Sequence, residues 1–384
     1  MTHDVSFFRS SLSSFKKILS LSKKIYSIYR RIKENIIYII ATHIFKQDKI
    51  VLLSSSDNDK FGNITALSKE LYAQGMPYIL LEQIQLKNNI YKYLKTLAKA
   101  RVIVIDATSP SARIKLSKNT SLIHCWHACG AYKKIGFDAK RKNYNKDSEE
   151  KRIRRIHRGI SWFVCTSEET AKIYAKAFHL PFERMLIFGS PRLDSIIKKY
   201  NFSDPKIYTI LYAPTYRTYG KNIRNLPQLP DAKFLRQELI YKLGENVRLA
   251  FRGHPTAPPP IDLNGWEDWS DVPQSEALFR ASVLITDYSS IFFDFLIFNR
   301  PIIFYIPDID IYINNERSLY FLPDKEFKET ICVDESDLVD VLIKCRNLKV
   351  NYINLWNKYM LACDGNSSKR LCLFIKKIMK GEIQ

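Results

Sequence analysis

Five polar clusters interrupt the apolar runs of this chain, and each carries side chains able to hold a phosphorylated group or move a proton. The first reads Ile123-His124-Cys125-Trp126-His127-Ala128-Cys129-Gly130-Ala131-Tyr132-Lys133-Lys134. His127 follows an apolar run, and an imidazole there can take a hydroxyl proton near neutral pH. Ala128, Cys129, Gly130 and Ala131 are small enough to let a substrate approach the backbone. A lone histidine is more often satisfied by local hydrogen bonds, so His127 gains weight only from its companions.

The second cluster is Phe188-Gly189-Ser190-Pro191-Arg192-Leu193-Asp194. Arg192 can fork onto a phosphate or pair with a carboxylate such as Asp194. In the third, Leu211-Tyr212-Ala213-Pro214-Thr215-Tyr216-Arg217, Pro214 stops a strand and Thr215 follows with a hydroxyl. In the fourth, Phe251-Arg252-Gly253-His254-Pro255, Arg252 and His254 lie two apart and project to one side of extended chain. That pairing suits two phosphate oxygens, and Gly253 leaves room between them.

The fifth cluster is the strongest: Val283-Leu284-Ile285-Thr286-Asp287-Tyr288-Ser289-Ser290-Ile291-Phe292-Phe293-Asp294. An apolar strand ends at Asp287, and Ser289 or Ser290 opens a helix whose free N–H groups can hold a phosphate. Asp294 lies a turn further on and can accept from a ribose or polyol hydroxyl. The chain lacks a carboxylate pair spaced for glycoside hydrolysis, a Gly-x-x-x-x-Gly-Lys-Ser/Thr loop and a Gly-x-Gly-x-x-Gly turn. Together the clusters point to transfer from a nucleotide-activated donor rather than ATP hydrolysis or hydride transfer.

These clusters sit at the ends of runs that read as buried parallel strands: Lys49–Ser56, Pro77–Glu82, Arg101–Ala107, Ser121–Trp126, Trp162–Thr166 and Met185–Gly189. A second series comprises Tyr208–Ala213, Val247–Arg252, Ser282–Thr286, Pro301–Tyr305 and Ile331–Val333. Helical stretches such as Ile64–Gln74 and Glu168–Phe178 intervene, and a last helix is expected over about Leu338 to Lys380, interrupted at Asp364-Gly365. Alternating β and α elements predict an α/β chain with two Rossmann-like domains, residues 47–200 and 201–384, facing across a cleft. Ligands of such sheets bind beyond the carboxyl ends of the strands, where the five clusters fall.

Residues 1–46 stand apart. Phe8, Leu12, Phe15, Leu19, Tyr26, Tyr29, Ile32, Ile36 and Ile40 recur at helical spacing among Arg9, Lys16, Lys17, Lys23, Lys24, Arg30, Arg31 and Lys33. This predicts a basic amphipathic helical segment suited to an anionic membrane surface, or one packed on its own domain with a solvated basic face. The net charge of +21, from 60 basic against 39 acidic residues, also favours an anionic partner. No aromatic-basic motif of nucleic-acid binding accompanies it, so nucleic acid is not expected. No apolar run reaches the length of a membrane span, and no secretory signal opens the chain, so a peripheral place on the cytoplasmic face of the membrane is expected. The 7 cysteines are read as buried, reduced thiols, with neither disulfides nor a structural metal. No cofactor is expected, although Asp287 and Asp294 are carboxylates able to hold Mg²⁺.

Across Lys49 to Lys377 the chain resembles the CDP-glycerol glycerophosphotransferase family, which builds teichoic acids and related capsular polymers. The likeness runs through Trp126-His127, Gly189-Ser190-Pro191-Arg192-Leu193-Asp194, Tyr212-Ala213-Pro214-Thr215, Arg252-Gly253-His254-Pro255 and Ile285-Thr286-Asp287-Tyr288-Ser289-Ser290. It continues through Asp294, Arg300-Pro301-Ile302-Ile303-Phe304-Tyr305 and Asp364-Gly365-Asn366-Ser367-Ser368-Lys369-Arg370. The resemblance implies a GT-B arrangement, with the acceptor on the N-terminal domain and the CDP donor on the C-terminal one. It implies that His127 is the general base and begins a substrate-binding stretch through Ala131. Arg192, Pro214, Thr215, Arg252, Gly253, His254, Ser289, Ser290 and Asp294 fall on donor-binding positions. Family members often read Trp-His-Gly-Thr-Pro in the first motif, where this chain has Ala128, Cys129 and Gly130. Its length fits a primase that adds the first unit to a lipid-linked disaccharide, or a short-chain transferase, better than the longer polymerases. A CDP-ribitol donor, a GT-B glycosyltransferase using a nucleotide sugar and a non-catalytic basic binding protein are the competing readings.

Overall fold

The computed structural model describes residues 3–54, 62–82, 89–106, 109–139, 146–199, 205–218, 224–244, 246–260 and 262–383. The first sheet comprises β1 (Lys49–Ser54), β2 (Tyr78–Glu82), β3 (Ala100–Ile105), β4 (Ser121–His124), β5 (Trp162–Cys165) and β6 (Met185–Ile187). Its strands lie in the order β2-β1-β3-β4-β5-β6, all parallel. Helices α1 (His3–Ile44), α2 (Asn63–Ala73), α3 (Ile90–Ala98), α4 (Lys146–His157), α5 (Glu168–Phe178) and α6 (Asp194–Lys199) accompany it.

The inner strands are largely apolar because both faces are covered. Ile50, Leu52, Val102, Val104 and Ile123 enter one core, while Val51, Leu53, Ile103, Ile105 and Leu122 enter the opposite one. Helix α1 closes part of the second core with Tyr38 and Ala41, which pack with Leu94 and Leu97 of α3. The side chains of residues 3–20 of α1, including Phe8, Leu12, Phe15 and Leu19, lie outside the described residues, as do those of Lys23 and Lys24.

The second sheet contains β7 (Thr209–Tyr212), β8 (Arg248–Phe251), β9 (Glu267–Asp268), β10 (Val283–Thr286), β11 (Ile302–Tyr305) and β12 (Ile331–Cys332). Its order is β12-β11-β10-β7-β8-β9, again parallel. Strand order therefore reverses between β7 and β10, which makes their carboxyl ends the crevice of this half. Pro214, Thr215 and Asp287 lie there. Helices α7 (Ala232–Leu243), α8 (Gln274–Arg280), α9 (Ile291–Phe295), α10 (Ile309–Asn315) and α11 (Glu335–Cys345) follow in turn. The chain is thus α/β with two parallel-sheet domains, as the alternating elements predict, and GT-B-like, as the family resemblance implies.

The long last helix expected from the sequence is instead three: α11, α12 (Ile353–Tyr359) and α13 (Ser367–Lys380). Asn351 Oδ1 restarts the chain by accepting from Ile353 N at 3.0 Å, and Gly365 takes φ +84° before α13. Helix α13 returns to the first domain, where Leu371, Cys372, Ile375 and Ile378 join Ile50 and Val102. Asp194 anchors its start by accepting from Ser367 N at 3.0 Å and Ser368 N at 2.6 Å. Residues 200–204, where the domain boundary was expected, lie outside the described residues.

Candidate functional site

The His127 loop leaves the end of β4 through a tight, heavily pinned turn. Trp126 takes φ 55°, an unusual value for a bulky residue, and is held by three neighbours. Its N–H donates to His124 Nδ1 at 2.9 Å, its carbonyl accepts from Asn63 Nδ2 at 2.7 Å, and its ring lies tilted beside that of His127, with centroids 4.5 Å apart. Gly130 follows with φ +60° and its Cα against the Phe293 ring, where an added Cβ would lie 2.4 Å from the aromatic carbons. Thr166 Oγ1 accepts from Gly130 N at 3.2 Å, and Tyr174 OH donates to Gly130 O at 2.6 Å. Cys129, Gly130 and Ala131 are buried and Ala128 half-buried, so His127 is the exposed member of the stretch.

His127 keeps exposed surface as a residue, yet protein packs densely around its imidazole. That burial, followed by Arg192, Lys133 and Arg317, pushes its pKa down to about 4. The imidazole is therefore neutral at physiological pH and can accept a proton. His254 stands on the other domain, after β8. Thr256 N donates to its Nδ1 at 3.3 Å and the Thr256 hydroxyl lies 2.9 Å away. This leaves the proton on Nε2, the tautomer that donates from its far side. Burial, then Lys133, Arg224 and His127, lower its pKa to about 4. Each histidine feels Lys133, and His254 feels His127, so the two domains bring these groups into one electrostatic neighbourhood.

Lys133 is the physical link. Its Nζ donates to Thr215 Oγ1 at 3.2 Å across the domains, and its backbone bridges to Leu319. Burial and then Arg317 lower its pKa to about 8 against the pull of Asp287. Thr215 N in turn donates to Asp287 Oδ1 at 2.9 Å. Arg217 binds Asp287 at 2.7 Å and Asp308 at 2.8 Å and lies beside the mutually stacked rings of Tyr288 and Tyr312. Pro214, Thr215 and Asp287 are buried, so the ends of β7 and β10 form a rigid polar floor.

Arg192 does form an ion pair, but its partner is Asp294, not Asp194. The guanidinium fork reaches Asp294 at 2.5 and 2.8 Å and Cys129 Sγ at 3.3 Å. Asp194 cannot serve because the N-terminus of α13 occupies both its oxygens. Gln274 Nε2 also donates to Asp294 at 2.6 Å. Asn63 Oδ1 fixes the Arg192 turn by accepting from Ser190 Oγ at 3.0 Å and Arg192 N at 3.1 Å. The two carboxylates read as able to hold Mg²⁺ are thus each clamped by an arginine. Among the described residues no group of three or more His, Cys, Asp or Glu is placed to hold a metal.

Arg252 spends one terminal nitrogen on the carbonyls of Trp269, Ser270 and Val272, and Gly253 N donates to Ser270 Oγ at 3.0 Å. It therefore fixes the turn carrying His254. Ser289 Oγ accepts from Ile291 N at 3.3 Å, while Ser290 is the residue that opens α9 and puts no side-chain bond into it. Both serines are half-buried. Since Gly130 packs on Phe293, the His127 loop rests directly on the turn and helix that Ser289 and Ser290 begin.

Two positioning residues escaped the sequence reading. Asn63 had no signal, being one asparagine at a helix start. Lys133 was visible only as part of a basic pair after the histidine motif.

A GT-B-like pair of domains with neutral histidines, an amine and paired arginines at the cleft defines a group-transfer enzyme. The chain belongs to the CDP-glycerol:poly(glycerophosphate) glycerophosphotransferase family, whose profile matches residues 25–377. It is 30% identical over 329 residues to the teichoic acid glycerol-phosphate primase of Bacillus subtilis (strain 168), covering 80% of this chain and 82% of that protein. It is 25% identical over 362 residues to the teichoic acid ribitol-phosphate primase of Bacillus spizizenii, covering 87% and 92%. The fold matches that of the wall teichoic acid polymerase TagF with a TM-score of 0.76 at 22% identity, covering 97% of this chain and 99% of that one.

Proposed function

We propose that this enzyme transfers glycerol phosphate from CDP-glycerol to a hydroxyl of a membrane-linked teichoic-acid-type or capsular glycopolymer acceptor, releasing CMP, at the cytoplasmic face of the membrane. The observation that carries the reading is the convergence of His127, His254 and Lys133 from two domains beside Thr215. The acceptor oxygen attacks the β-phosphorus in line. The bond from that phosphorus to the bridging oxygen breaks, and its electron pair leaves on the α-phosphate of CMP. His127, neutral at working pH, takes the acceptor's proton.

His254 offers Nε2–H, and Lys133 a positive charge, to the phosphate oxygens as charge builds on the leaving side. Phosphoryl-type transfer needs mainly positioning and such charge stabilisation. Ser289 and Ser290 take part of the diphosphate at the head of α9, with Pro214, Thr215 and Gly253 lining the donor's path. Arg192, Asp294 and Arg252 act on the donor chiefly by holding these loops in place, because their bonds to protein are already made. Ala128, Cys129, Gly130 and Ala131 shape the acceptor side.

Primases of both polyols are among the relatives, so CDP-ribitol is the second reading. The deciding experiment incubates the purified protein with CDP-glycerol or CDP-ribitol, each labelled at the β-phosphorus, and lipid-linked disaccharide. The label is expected in a product one glycerol phosphate heavier, with unlabelled CMP released. Product without the label, or transfer of a sugar, overturns the reading.

A further inference from the structure

Away from the cleft, α1 and α4 enclose a groove of about 410 Å³ whose chemistry none of the above uses. One wall is the α1 stripe Ile28, Ile32 and Ile36, each 45 to 56% exposed. The other end is cationic. Arg31 of α1 meets Arg155 of α4 and Arg158 just beyond it. Neighbouring charges do not cancel these: Glu34 is taken by Arg113 and Arg30, and Glu149 by Arg152. Among the described residues, Arg155 and Arg158 form no ion pair, and Arg155 Nε is buried without a hydrogen-bond partner. Burial and then Arg31, Arg158 and Arg152 lower the Arg155 pKa, the mark of crowded, uncompensated guanidiniums.

Leaving a guanidinium nitrogen desolvated and unpaired costs free energy, which an anion in the groove would return. An apolar slot running into three arginines fits a molecule with a phosphate at one end and hydrocarbon at the other. Guanidinium forks match phosphate oxygens better than ammonium groups do, and the exposed isoleucines continue the slot along the helix toward Ile25.

We propose that Arg31, Arg155 and Arg158 form a binding site for the phosphate headgroup of an anionic glycerophospholipid, with the α1 isoleucine stripe lying among its acyl chains. The site deepens the membrane-surface part of the proposed function, and it docks the enzyme rather than taking part in turnover.

The test is co-sedimentation of the full-length protein with vesicles of phosphatidylcholine alone or mixed with phosphatidylglycerol. The wild type is expected on the mixed vesicles only. The R155Q/R158Q variant is expected to bind them roughly ten-fold or more weakly. K376Q/K377Q, which removes the same charge from exposed positions on α13, is expected to bind like the wild type. R158E provides a second variant at an exposed position that the fold does not need, and it should lose at least as much. Equal losses in the two double variants would mean diffuse attraction and overturn the site. Binding to neutral vesicles, no vesicle binding at all, or full competition by millimolar inorganic phosphate would each overturn the lipid assignment. CDP-glycerol binding, measured on the same variants, should be unchanged; its presence or absence judges the transferase reading independently.

Discussion

Lys133 of the N-terminal domain donates to the Thr215 hydroxyl of the C-terminal domain at 3.2 Å, and the same ammonium adds to the burial that lowers the pKa of both His127 and His254. One side chain thereby ties the His127 loop to the floor of the crevice at the ends of β7 and β10. Replacing it tests whether that link is structural or part of the chemistry. Lys133→Met keeps the apolar stem and removes the charge. It is expected to lower kcat by roughly 10²-fold through lost charge stabilisation, while the melting temperature changes little. Raised histidine pKa values in the same variant, read by NMR titration, would show the lost charge directly.

The same lysine sets a pH limit. Its pKa of about 8 means that the ammonium is present below that value and lost above it. His127, at about 4, is already deprotonated across the neutral range. Turnover is therefore expected to hold level between about pH 5 and 7 and fall through pH 8. In Lys133→Arg, whose charge persists, the alkaline fall should move upward; an unmoved limb would assign it to another group.

Arg192 and Asp294 form a nearly buried fork between the domains, with side chains 15% and 2% exposed. Removing one partner strands a charge, at a cost of about 3–5 kcal/mol. Asp294→Ala should lower the denaturant midpoint accordingly, whereas the pair Arg192→Met with Asp294→Leu should recover part of the loss. If both single variants were as stable as the wild type, the fork would have to be solvated and the cleft open to water around it.

Stability should also depend on pH through the histidines. His127, His157 and His254 all have folded pKa values of about 4, against 6.5 for a free imidazole. Between those values the unfolded chain binds more protons, so stability rises with pH across about 4 to 6.5 and is lost as pH falls through that window. His157 is buried against Phe178 at 4.1 Å and lies outside the cleft. His157→Gln should flatten part of that slope in denaturant titrations without changing turnover at pH 7.

Much of this was legible in the sequence because strands buried on both faces read as unbroken apolar runs. Five of those runs, the ones that became β4, β6, β7, β8 and β10, ended close to where a polar cluster began. Two elements were not legible. Strand β9 is only Glu267–Asp268, exposed, polar and held by its edge pairing to β8, so neither length nor hydropathy marks it. Helix α4, Lys146 to His157, is mostly charged, turns only Ile153 and His157 fully inward, and lacks the broad apolar face by which helices are recognised.

At the site, residue types predicted where polar chemistry would gather but not which groups were already paired. Arg192 and Asp294 look like two independent ligands in the sequence, 102 positions apart, and turn out to be partners. Asn63 satisfies three groups on two loops, a role only the fold creates. The Thr215–Asp287 contact likewise arises because strand order reverses between β7 and β10.

The most direct test of the account is single-turnover CMP release by His127→Ala at saturating CDP-glycerol with acceptor present. A base that sits beside the donor but does not bind it should leave the dissociation constant for CDP-glycerol unchanged and slow release by roughly 10²–10⁴-fold. Release within a few-fold of wild type, with binding intact, would contradict the central claim that His127 takes the acceptor's proton.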